Sequence, residues 1–296
     1  MNVFVTGSTG YIGNAVVREL FKAGHNVTGL VRSKEKGDEL KDLGIHTLLG
    51  NLSDTDLLKK AASENQAVIH LAFDIETEGV ATDRLAIDSF ISASKDSSVT
   101  ECLIYTSGVM VLGNTGDEPA DEEASTDNAA DIVKWRPDHE NIVLNAATTS
   151  LATAVIRPGM VYGGKSGIIA QIFQAEHGVP TYIGDGKNRW GLIHLNDLAV
   201  LYRLVIENQA RGIFHGVDGE AIKVSQIAEV ASKAAGFGGK TASMPIKEAR
   251  KIMGPYADAL CQDQVISAPH SHEIGWNPDR TSFMENARAA YDEWKN

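Results

Sequence analysis

The stretch Thr6-Gly7-Ser8-Thr9-Gly10-Tyr11-Ile12-Gly13 stands between a short apolar run, Val3–Thr6, and a longer amphipathic run from about Tyr11 to Ala23. The apolar run has the length of a strand, and the amphipathic run has the spacing of a helix. A strand, a glycine-rich turn and a helix in this order form the unit that holds the pyrophosphate of a dinucleotide. The stretch therefore predicts both a fold and a phosphate-binding loop.

Each glycine of this loop has a separate task. Gly7 allows the tight turn, Gly10 lets the backbone approach the pyrophosphate, and Gly13 lets the helix pack closely on the sheet. The helix N-terminus adds backbone N–H groups and the positive end of the helix dipole. The cofactor contacts predicted in the loop are Gly7, Thr9, Gly10, Tyr11, Ile12 and Gly13.

Short apolar runs alternate with amphipathic runs through the first half of the chain. The further strand candidates are Asn26–Val31, Ile45–Leu49, Ala67–Leu71, Cys102–Thr106 and Ala152–Ile156. Helices are predicted at Lys34–Leu43, from near Asp54, and around Thr82–Ser94. Strands that alternate with helices form βαβ units. We therefore expect an α/β fold with a Rossmann-type, doubly wound parallel sheet.

The second half has a different rhythm. Gly113–Asp131 is acidic and rich in small residues, and we expect a loop there that buries little. After Gly163, helices joined by Gly/Pro turns predominate, with fewer obvious strands, which indicates a smaller substrate-binding lobe. The predicted dinucleotide-binding domain is 1–165, with 179–220 returning to it, and the predicted lobe is 166–178 and 221–296.

Composition excludes several classes of partner. The formal net charge is −12, and such an acidic surface repels phosphate backbones and anionic lipids, so neither a nucleic acid nor a membrane is expected. Two cysteines and scattered histidines predict no disulfide framework and no metal site. The chain begins with an apolar strand and lacks the pattern of a signal peptide, so a cytoplasmic location is the expectation.

Beyond the loop, several segments resemble the extended and atypical short-chain dehydrogenase/reductases, the NAD(P)-dependent epimerase/dehydratase family. The loop has the spacing Gly-x-x-Gly-x-x-Gly, and the segments that agree in order are Gly50–Asp54, Ile69–Ala72, Tyr105–Gly108, Arg157–Gly163 and Ile193–Ala199. The resemblance implies cofactor contacts at Asn51, Leu52, Leu71, Ala72, Thr106 and Pro158. It is closest to an atypical subgroup whose members are described as nucleoside-sugar epimerases or aldehyde reductases.

The end of the second predicted strand bears on the choice of dinucleotide. NAD-selective sites place a carboxylate there, which accepts hydrogen bonds from the ribose hydroxyls. Here the strand continues as Val31-Arg32-Ser33-Lys34, and the first acid is Glu35. Arg32 can pair with a 2′-phosphate, with help from Ser33 and Lys34. We therefore expect NADP(H) to be preferred over NAD(H); the alternative is a solvated basic helix start.

The proton-transfer residues of the family are missing. The resemblance implies a Ser after the fifth strand and a Tyr-x-x-x-Lys on the next helix, but no tyrosine lies between Tyr105 and Tyr162. The Ser position falls at Gly108, and the Tyr and Lys positions fall near Ile132 and Arg136. We expect a helix to start at Pro137, and we predict that Arg136 contacts the cofactor.

Other side chains are candidates for the missing roles. Ser107, Tyr162 and His194 are the predicted catalytic residues; for His194 the alternative is a structural histidine. Gly108, Arg189 and Trp190 are predicted to line the substrate cleft. His139, in a first helical turn, is expected to be solvated.

Three functions stay open at this point. The first is an NADP(H)-dependent oxidoreductase that acts on a small aldehyde or ketone with a non-standard proton donor. The second is a non-catalytic NAD(P)-binding redox sensor or partner-binding protein, and the third is a sugar-nucleotide epimerase. The expected partner is a small carbonyl compound, and a homodimer is possible.

Overall fold

The computed structural model describes residues 1–74, 78–97, 99–174 and 179–296. The strands in the described residues are β1 Asn2–Thr6, β2 Asn26–Val31, β3 His46–Leu49, β4 Ala67–His70, β5 Cys102–Thr106, β6 Ala152–Pro158, β7 Met160–Tyr162, β8 Thr181–Ile183, β9 Arg189–His194, β10 Gly212–Gly216, β11 Ala221–Lys223 and β12 Ala242–Met244. The helices are α1 Tyr11–Lys22, α2 Lys34–Asp42, α3 Thr55–Ser63, α4 Gly79–Asp96, α5 Arg136–Asn145, α6 Ile168–Gln174, α7 Leu195–Glu207, α8 Val224–Ala234, α9 Ile246–Met253, α10 Tyr256–Leu260, α11 Pro269–Glu273 and α12 Phe283–Lys295.

Seven strands form one sheet in the order β10-β6-β5-β4-β1-β2-β3. The pairs β1–β2, β1–β4, β2–β3, β4–β5 and β5–β6 are all parallel. The predicted parallel α/β sheet is confirmed. The strand order reverses on either side of β1, and in such sheets ligands bind outside the carboxyl ends of the strands at that point. The glycine-rich loop follows β1 directly.

Local sequence signals explain where the helices around this sheet begin. The side chains of Ser33 and Asp54 cap α2 and α3 by accepting hydrogen bonds from the N–H groups of Lys36 and Leu57. Pro137 lies in the first turn of α5, where the absence of its N–H costs no helical hydrogen bond. The predicted start of this helix at Pro137 is thus met to within one residue.

The chain divides into two compact units. Unit 1 comprises Met1–Ser107, Trp135–Ile156 and Ala199–Phe214, and unit 2 comprises Gly108–Lys134, Arg157–Leu198 and His215–Asn296. The predicted domain boundary, with a lobe of 166–178 and 221–296, stays a prediction, and its residues 175–178 lie outside the described residues. The core of unit 1 packs Phe4, Val68, Phe90 and Leu103 between the sheet and the helices.

Unit 2 contains more strands than the sequence analysis expected. β9 lies between β7, which is parallel to it, and β11, which is antiparallel, while β8 and β12 form a separate parallel pair. Four of these five strands are only three residues long, and so short a run shows no measurable alternation. Gly113–Asp131 is largely irregular and mostly exposed, as predicted, with Glu122 as a buried exception. Within it the carboxylate of Glu122 is buried and accepts a hydrogen bond from the His215 N–H.

None of the described helices is long and apolar enough to cross a membrane. The described residues also contain no cluster of three or more histidine, cysteine, aspartate or glutamate side chains that is able to hold a metal ion.

Candidate nucleotide-binding and active site

A cavity of about 840 Å³ opens in unit 1 at the carboxyl end of β1. Most of the predicted cofactor contacts lie on its wall, namely Gly7, Thr9, Gly10, Tyr11, Ile12, Gly13, Arg32, Asn51, Leu52, Leu71, Ala72 and Thr106. Arg136 is not on the wall, and Pro158 belongs to unit 2. The wall also includes Lys36 and Phe73, which the sequence analysis did not predict.

The glycine-rich loop is built for a backbone that approaches a ligand closely. Gly7 has φ +70°, and a Cβ there would lie 2.8 Å from the backbone nitrogen of Ala72. The Gly10 N–H donates to the Gly7 carbonyl at 2.8 Å, which closes the turn. A Cβ on Gly13 would lie 2.0 Å from that same carbonyl oxygen. The predicted roles of Gly7 and Gly13 in turn and packing therefore have a direct steric basis.

The N-terminus of α1 faces this cavity without a side-chain cap. Its N-cap residue, Gly10, has no side chain to accept a hydrogen bond, and the first turn contains no acidic residue. A helix start of this kind favours an anion, since the dipole and the first-turn N–H groups are not offset by a carboxylate. The donor set of the loop therefore fits a pyrophosphate.

Two cationic side chains that follow β2 in the sequence lie on the wall of this cavity. Arg32 is exposed and follows the last residue of the strand, and Lys36 lies in the first turn of α2. Ser33 caps α2 and is occupied by that task, since its Oγ accepts a hydrogen bond from the Lys36 N–H at 3.4 Å. Lys34, expected to assist Arg32, is not on the wall, and Lys36 takes that place. The helical turn determines which lysine faces the cavity.

The neighbouring turn at Asn51 is held by its own side chain. The Oδ1 atom of Asn51 accepts a hydrogen bond from the Ser53 N–H at 2.8 Å, and Asp54 then caps α3. Such Asx turns fix a loop without a strand partner. Asn51 is exposed at the cavity, while Leu52 is buried beneath it.

A threonine and a histidine hold the opposite wall. The Thr6 hydroxyl accepts hydrogen bonds from the N–H groups of Leu71 and Ala72, each at 3.2 Å. Its remaining proton points to Nδ1 of His70, 2.7 Å away, so His70 carries its ring proton on Nε2. The Leu71-Ala72 backbone is thereby locked beside the phosphate loop.

Asp83, on α4, is the centre of a buried polar cluster. Its Oδ2 accepts hydrogen bonds from the Tyr105 hydroxyl at 3.0 Å and from His139 Nδ1 at 2.7 Å, and its Oδ1 lies 3.3 Å from His70 Nε2. Burial acts to raise the pKa of Asp83, but the hydrogen bond from His139, the nearby His70 ring and the charge of Arg136 outweigh it and hold the pKa well below its ordinary value. The expectation that His139 is solvated is wrong, because its ring is buried and hydrogen-bonded to the Asp83 carboxylate.

Arg136 occupies the position where the resemblance implies a lysine. Its Nη1 donates to the Tyr105 hydroxyl at 3.1 Å and to the Thr106 carbonyl at 2.9 Å. The guanidinium lies 4.5 Å above the Trp135 ring and 5.2 Å from that of Phe73, and these two rings stack on each other. Thr106 and Phe73 are both on the cavity wall, so Arg136 places a permanent positive charge directly behind it.

Two hydroxyls near the end of β5 differ in their bonding. The Thr106 Oγ1 pairs with the Tyr202 hydroxyl at 2.8 Å. The Ser107 Oγ is buried and has no hydrogen-bond partner among the described residues, although the Ser107 N–H donates to the Ile156 carbonyl. A buried hydroxyl without a partner is costly, which suits a group that hydrogen-bonds a ligand or water.

The Tyr105 hydroxyl is engaged within the protein, because it donates a hydrogen bond to Asp83 and accepts one from Arg136. Burial raises the pKa of the Tyr105 phenol far above its ordinary value, against the opposing charge of Arg136, and Asp83 adds to the rise. Tyr105 is therefore a structural donor to Asp83.

The other predicted catalytic residues, Tyr162 and His194, lie in unit 2. The Tyr162 ring is fully buried, 5.1 Å from the rings of both His194 and Phe283, and burial raises the pKa of its phenol. His194 Nδ1 accepts the Asn196 N–H, so Nε2 carries the proton and donates to Glu293 at 3.2 Å. Burial lowers the pKa of His194.

Arg189 and Trp190 begin β9 and point to different surroundings. Arg189 pairs with Asp263 through Nε at 2.9 Å and Nη2 at 2.7 Å, and Nη2 also reaches Asp117 at 2.9 Å. Trp190 is buried and lies on the wall of a second cavity within unit 2. Gly108 precedes a short 3₁₀ helix, Val109–Leu112, in the same unit, and Pro158 is buried at the end of β6.

The comparison with known proteins decides the family. Residues 3–215 match the sequence model of the NAD dependent epimerase/dehydratase family. The chain belongs to this family. An uncharacterised protein of Saccharomyces cerevisiae is 31% identical to this chain over 304 aligned residues, which cover 98% of this chain and 99% of the yeast protein. A 2-alkyl-3-oxoalkanoate reductase of Stenotrophomonas maltophilia is 27% identical over 232 residues, which cover 72% and 67% of the two chains.

Solved structures agree with the fold of this epimerase/dehydratase family member. The UDP-glucose 4-epimerase of Thermotoga maritima superposes with a TM-score of 0.83 at 19% identity and covers 100% of this chain and 99% of its own. A human epimerase family protein solved with NADPH gives a TM-score of 0.76 at 19% identity and covers 99% of each chain. The family and its relatives point to NAD(P)-dependent oxidoreductase, epimerase or dehydratase activity.

Sequence reasoning missed several residues that the fold of this family member brings together. Asp83, His70 and His139 lie on separate elements, and no local pattern links them. Lys36 lies in the first turn of the helix that begins just after Arg32, which was a usable signal. The Phe73–Trp135 stack joins two segments more than sixty residues apart and had no signal in the sequence.

Proposed function

We propose that this protein is an NADP(H)-dependent oxidoreductase that reduces a small aldehyde or ketone. The observation that carries the proposal is the composition of the cavity wall in unit 1. This wall includes the uncapped N-terminus of α1 and two cations, Arg32 and Lys36. The end of β2 carries no acidic residue that would repel a 2′-phosphate. The relative that is a 2-alkyl-3-oxoalkanoate reductase supports the carbonyl chemistry, and the human relative in fold, solved with NADPH, supports the cofactor.

The residues present fit this cofactor. Gly7, Gly10 and Gly13 form a cradle that a Cβ would obstruct, and the N-terminus of α1 would bind the pyrophosphate. Arg32 and Lys36 would bind the 2′-phosphate, and the Asn51 turn would lie at the adenine. When bound, NADPH supplies the hydride that the carbonyl carbon accepts.

The protein's own contribution is to orient the carbonyl, stabilise its charge and deliver a proton. Ser107 has a buried hydroxyl with no hydrogen-bond partner among the described residues, and this hydroxyl would hold the substrate oxygen or a water molecule that protonates it. Arg136 keeps its charge throughout and lowers the energy of negative charge nearby, but it does not release a proton near neutral pH. Tyr162 and the water at Ser107 rank above His194 as proton donors.

Bond changes balance in this scheme. Reduction would convert NADPH into NADP⁺ and the carbonyl compound into an alcohol, since the carbonyl carbon would gain the hydride and its oxygen the proton that the donor gives up. A donor replaced by an ordered water gives a slow enzyme, since a positioned acid is worth about 10²–10⁴-fold in rate.

A second function is a non-catalytic NADP(H)-binding sensor. The observation that favours it is the burial of Tyr105 and Tyr162, which raises the pKa of both phenols. A sensor needs no proton donor, so this function does not depend on either tyrosine. A sugar-nucleotide epimerase has less support, since the Arg189 guanidinium is already saturated by Asp263 and Asp117. Both cysteines are free thiols, which supports the proposed cytoplasmic location.

The deciding experiment follows the loss of reduced nicotinamide when the purified protein is mixed with NADPH and a panel of aldehydes and ketones. Turnover of one class above the rate without protein supports the oxidoreductase. Tight NADPH binding with no turnover over the whole panel favours the sensor.

A further inference from the structure

The cavity of unit 1 crosses the carboxyl ends of four neighbouring strands. It extends from Arg32, which follows β2, to Thr106 at the end of β5. Since three strand spacings of about 4.8 Å separate β2 from β5, its two ends lie about 14 Å apart. We call the part of the wall at the far end the β4–β5 wall. It consists of Leu71, Ala72, Phe73, Thr82 and Thr106.

The buried carboxylate of Asp83 reaches the segment after β4 through two side chains. Its Oδ1 lies 3.3 Å from Nε2 of His70, and Nδ1 of the same ring accepts the proton of the Thr6 hydroxyl at 2.7 Å. That hydroxyl in turn accepts hydrogen bonds from the N–H groups of Leu71 and Ala72. A shift of the His70 ring would therefore move the group that holds this part of the β4–β5 wall.

The same carboxylate reaches the end of β5 through Tyr105 and Arg136. The Tyr105 hydroxyl donates to Asp83 Oδ2 at 3.0 Å and accepts a hydrogen bond from Arg136 Nη1 at 3.1 Å. The same Nη1 donates to the Thr106 carbonyl at 2.9 Å, and the guanidinium lies 5.2 Å from the ring of Phe73. Asp83 is thus connected to both sides of the β4–β5 wall.

Asp83 itself is held firmly. It follows the wall residue Thr82 on α4, is only 1% exposed, and accepts a further hydrogen bond from His139 Nδ1 at 2.7 Å. The carboxylate is charged near neutral pH, because its pKa lies well below its ordinary value despite burial. A buried charge requires its partners in place, and a buried polar network of this kind makes its surroundings rigid.

The other end of the cavity has separate supports. Ser33 caps α2 beside Arg32 and Lys36, and the Asn51 side chain closes its own turn by accepting the Ser53 N–H. These hydrogen bonds are local and do not involve Asp83. Removal of the Asp83 charge should therefore alter the β4–β5 wall and leave the end at β2 and β3 as it is.

We propose that Asp83 is a positioning residue for the dinucleotide, which holds the β4–β5 wall in the shape that receives the half of NADPH remote from the 2′-phosphate. Asp83 is not on the cavity wall, so it acts through His70 and Tyr105 rather than by contact with the cofactor. This inference rests on the proposed function, in which Arg32 and Lys36 bind the 2′-phosphate.

The test compares two ligands by calorimetric titration of the whole protein. One is NADPH, and the other is 2′,5′-ADP, which has the adenosine and the 2′-phosphate but no nicotinamide half. We expect Asp83→Asn to bind NADPH about tenfold more weakly than the wild type, because a hydrogen-bonded charge is lost, and to bind 2′,5′-ADP with unchanged affinity. A general loss of structure would weaken the binding of both ligands, so the ratio of the two affinities separates positioning from stability.

Two further variants complete the test. Asp88→Asn makes the same change on the same helix in an exposed pair with Arg84, and it should keep both wild-type affinities. Tyr105→Phe removes only the hydroxyl that joins Asp83 to Arg136, and it decides the question if Asp83→Asn does not fold. We expect it to weaken NADPH binding about threefold, as for the loss of a neutral hydrogen bond, and to leave 2′,5′-ADP binding unchanged.

Two results would overturn the inference. One is wild-type NADPH affinity in a folded Asp83→Asn, or in Tyr105→Phe where the first variant does not fold; the other is an equal loss of affinity for both ligands. A wild type that binds neither ligand would defeat the proposed cofactor and this inference with it. Selective loss of NADPH binding in a protein that turns over no carbonyl compound would support the positioning role and defeat only the oxidoreductase.

Discussion

His139 Nδ1 lies 2.7 Å from Asp83 Oδ2, and the two residues are only 6% and 1% exposed. This bond ties α5 to α4, and through Tyr105 the same carboxylate is linked to Arg136. The segment in which the family resemblance implies a Tyr-x-x-x-Lys pair is thus held by a hydrogen-bonded cluster of charged and polar groups. Its geometry suits positioning and charge stabilisation rather than proton transfer.

The Asp83 cluster should dominate the response of stability to acid. Because the folded-state pKa of Asp83 lies below its ordinary 3.8, the folded protein binds fewer protons than the unfolded chain. The stabilisation is complete above the unfolded pKa and declines as the pH falls below it. We expect Asp83→Asn to lower the free energy of unfolding by about 3 kcal/mol near neutral pH, with a smaller difference from the wild type near about pH 3.

Urea unfolding over that pH range measures this prediction. Asp88→Asn is the matched control, since Asp88 lies on the same helix in an exposed pair with Arg84 and should change stability by less than about 1 kcal/mol. A wild type and an Asp83→Asn variant of equal stability would contradict the account of the cluster.

Arg32 and Lys36 should set the choice of cofactor. We expect NADPH to bind at least several-fold more tightly than NADH, because both cations lie where a ribose carboxylate would otherwise exclude a phosphate. Arg32→Glu should reverse the preference and Lys36→Glu should weaken it. Lys34→Glu, which changes a neighbouring charge off the cavity wall, is the control. Equal affinities of the wild type for the two cofactors in calorimetry would defeat this prediction.

Gly10→Val should abolish dinucleotide binding and leave the fold largely intact. The φ of Gly10 is −77°, which any residue adopts, and a Cβ there lies 3.1 Å from the Gly7 carbonyl, a contact that small shifts relieve. The valine would occupy the space of the pyrophosphate. Gly13→Val is expected to unfold the turn instead, since its Cβ would lie 2.0 Å from the same oxygen. Melting curves and calorimetry separate the two effects, and retained binding in Gly10→Val would mean that the cofactor lies elsewhere.

The proton donor can be found by comparing kcat/KM for Ser107→Ala, Tyr162→Phe and His194→Ala on the best carbonyl substrate. We expect the first two to lose more activity than the third, with up to about 10²–10⁴-fold for a positioned acid. If all three variants keep wild-type values, this assignment of catalytic residues is wrong.

The pH profile gives an independent reading of the donor. A donor must be protonated, so its activity is lost as the pH rises through its pKa. Burial lowers the pKa of His194 below its ordinary 6.5, so a histidine donor would already fail in mildly acidic solution. A Tyr162 donor, with its raised pKa, would keep activity far into the alkaline range. If the activity of the wild type falls as the pH rises through the mildly acidic range, and this fall is absent from the His194→Ala profile, His194 would become the first candidate for the proton donor.

Much of unit 1 was predictable because its signals are local. The loop after β1 needs glycine at Gly7 and Gly13 for steric reasons that involve only a few neighbouring atoms, and capping at Ser33 and Asp54 reads directly from the sequence. The parallel sheet follows from apolar runs long enough to show their period. For the same reason, most of the residues on the nucleotide-sized cavity wall could be named from the order of motifs along the chain.

What only the tertiary structure decided depends on pairs far apart in the sequence. The burial of His139 follows from Asp83, fifty-six residues earlier, and the saturation of Arg189 follows from Asp263, seventy-four residues later. The Ser107 hydroxyl, which has no partner among the described residues, and the cavity beside Trp190 both depend on the packing of several elements, and no single segment contains them. Local sequence determines backbone conformation because backbone conformation depends on steric contacts and hydrogen bonds between residues that are close in the sequence. Side-chain charge, burial and cavity shape are set by packing between distant segments, so they appear only when the chain is folded.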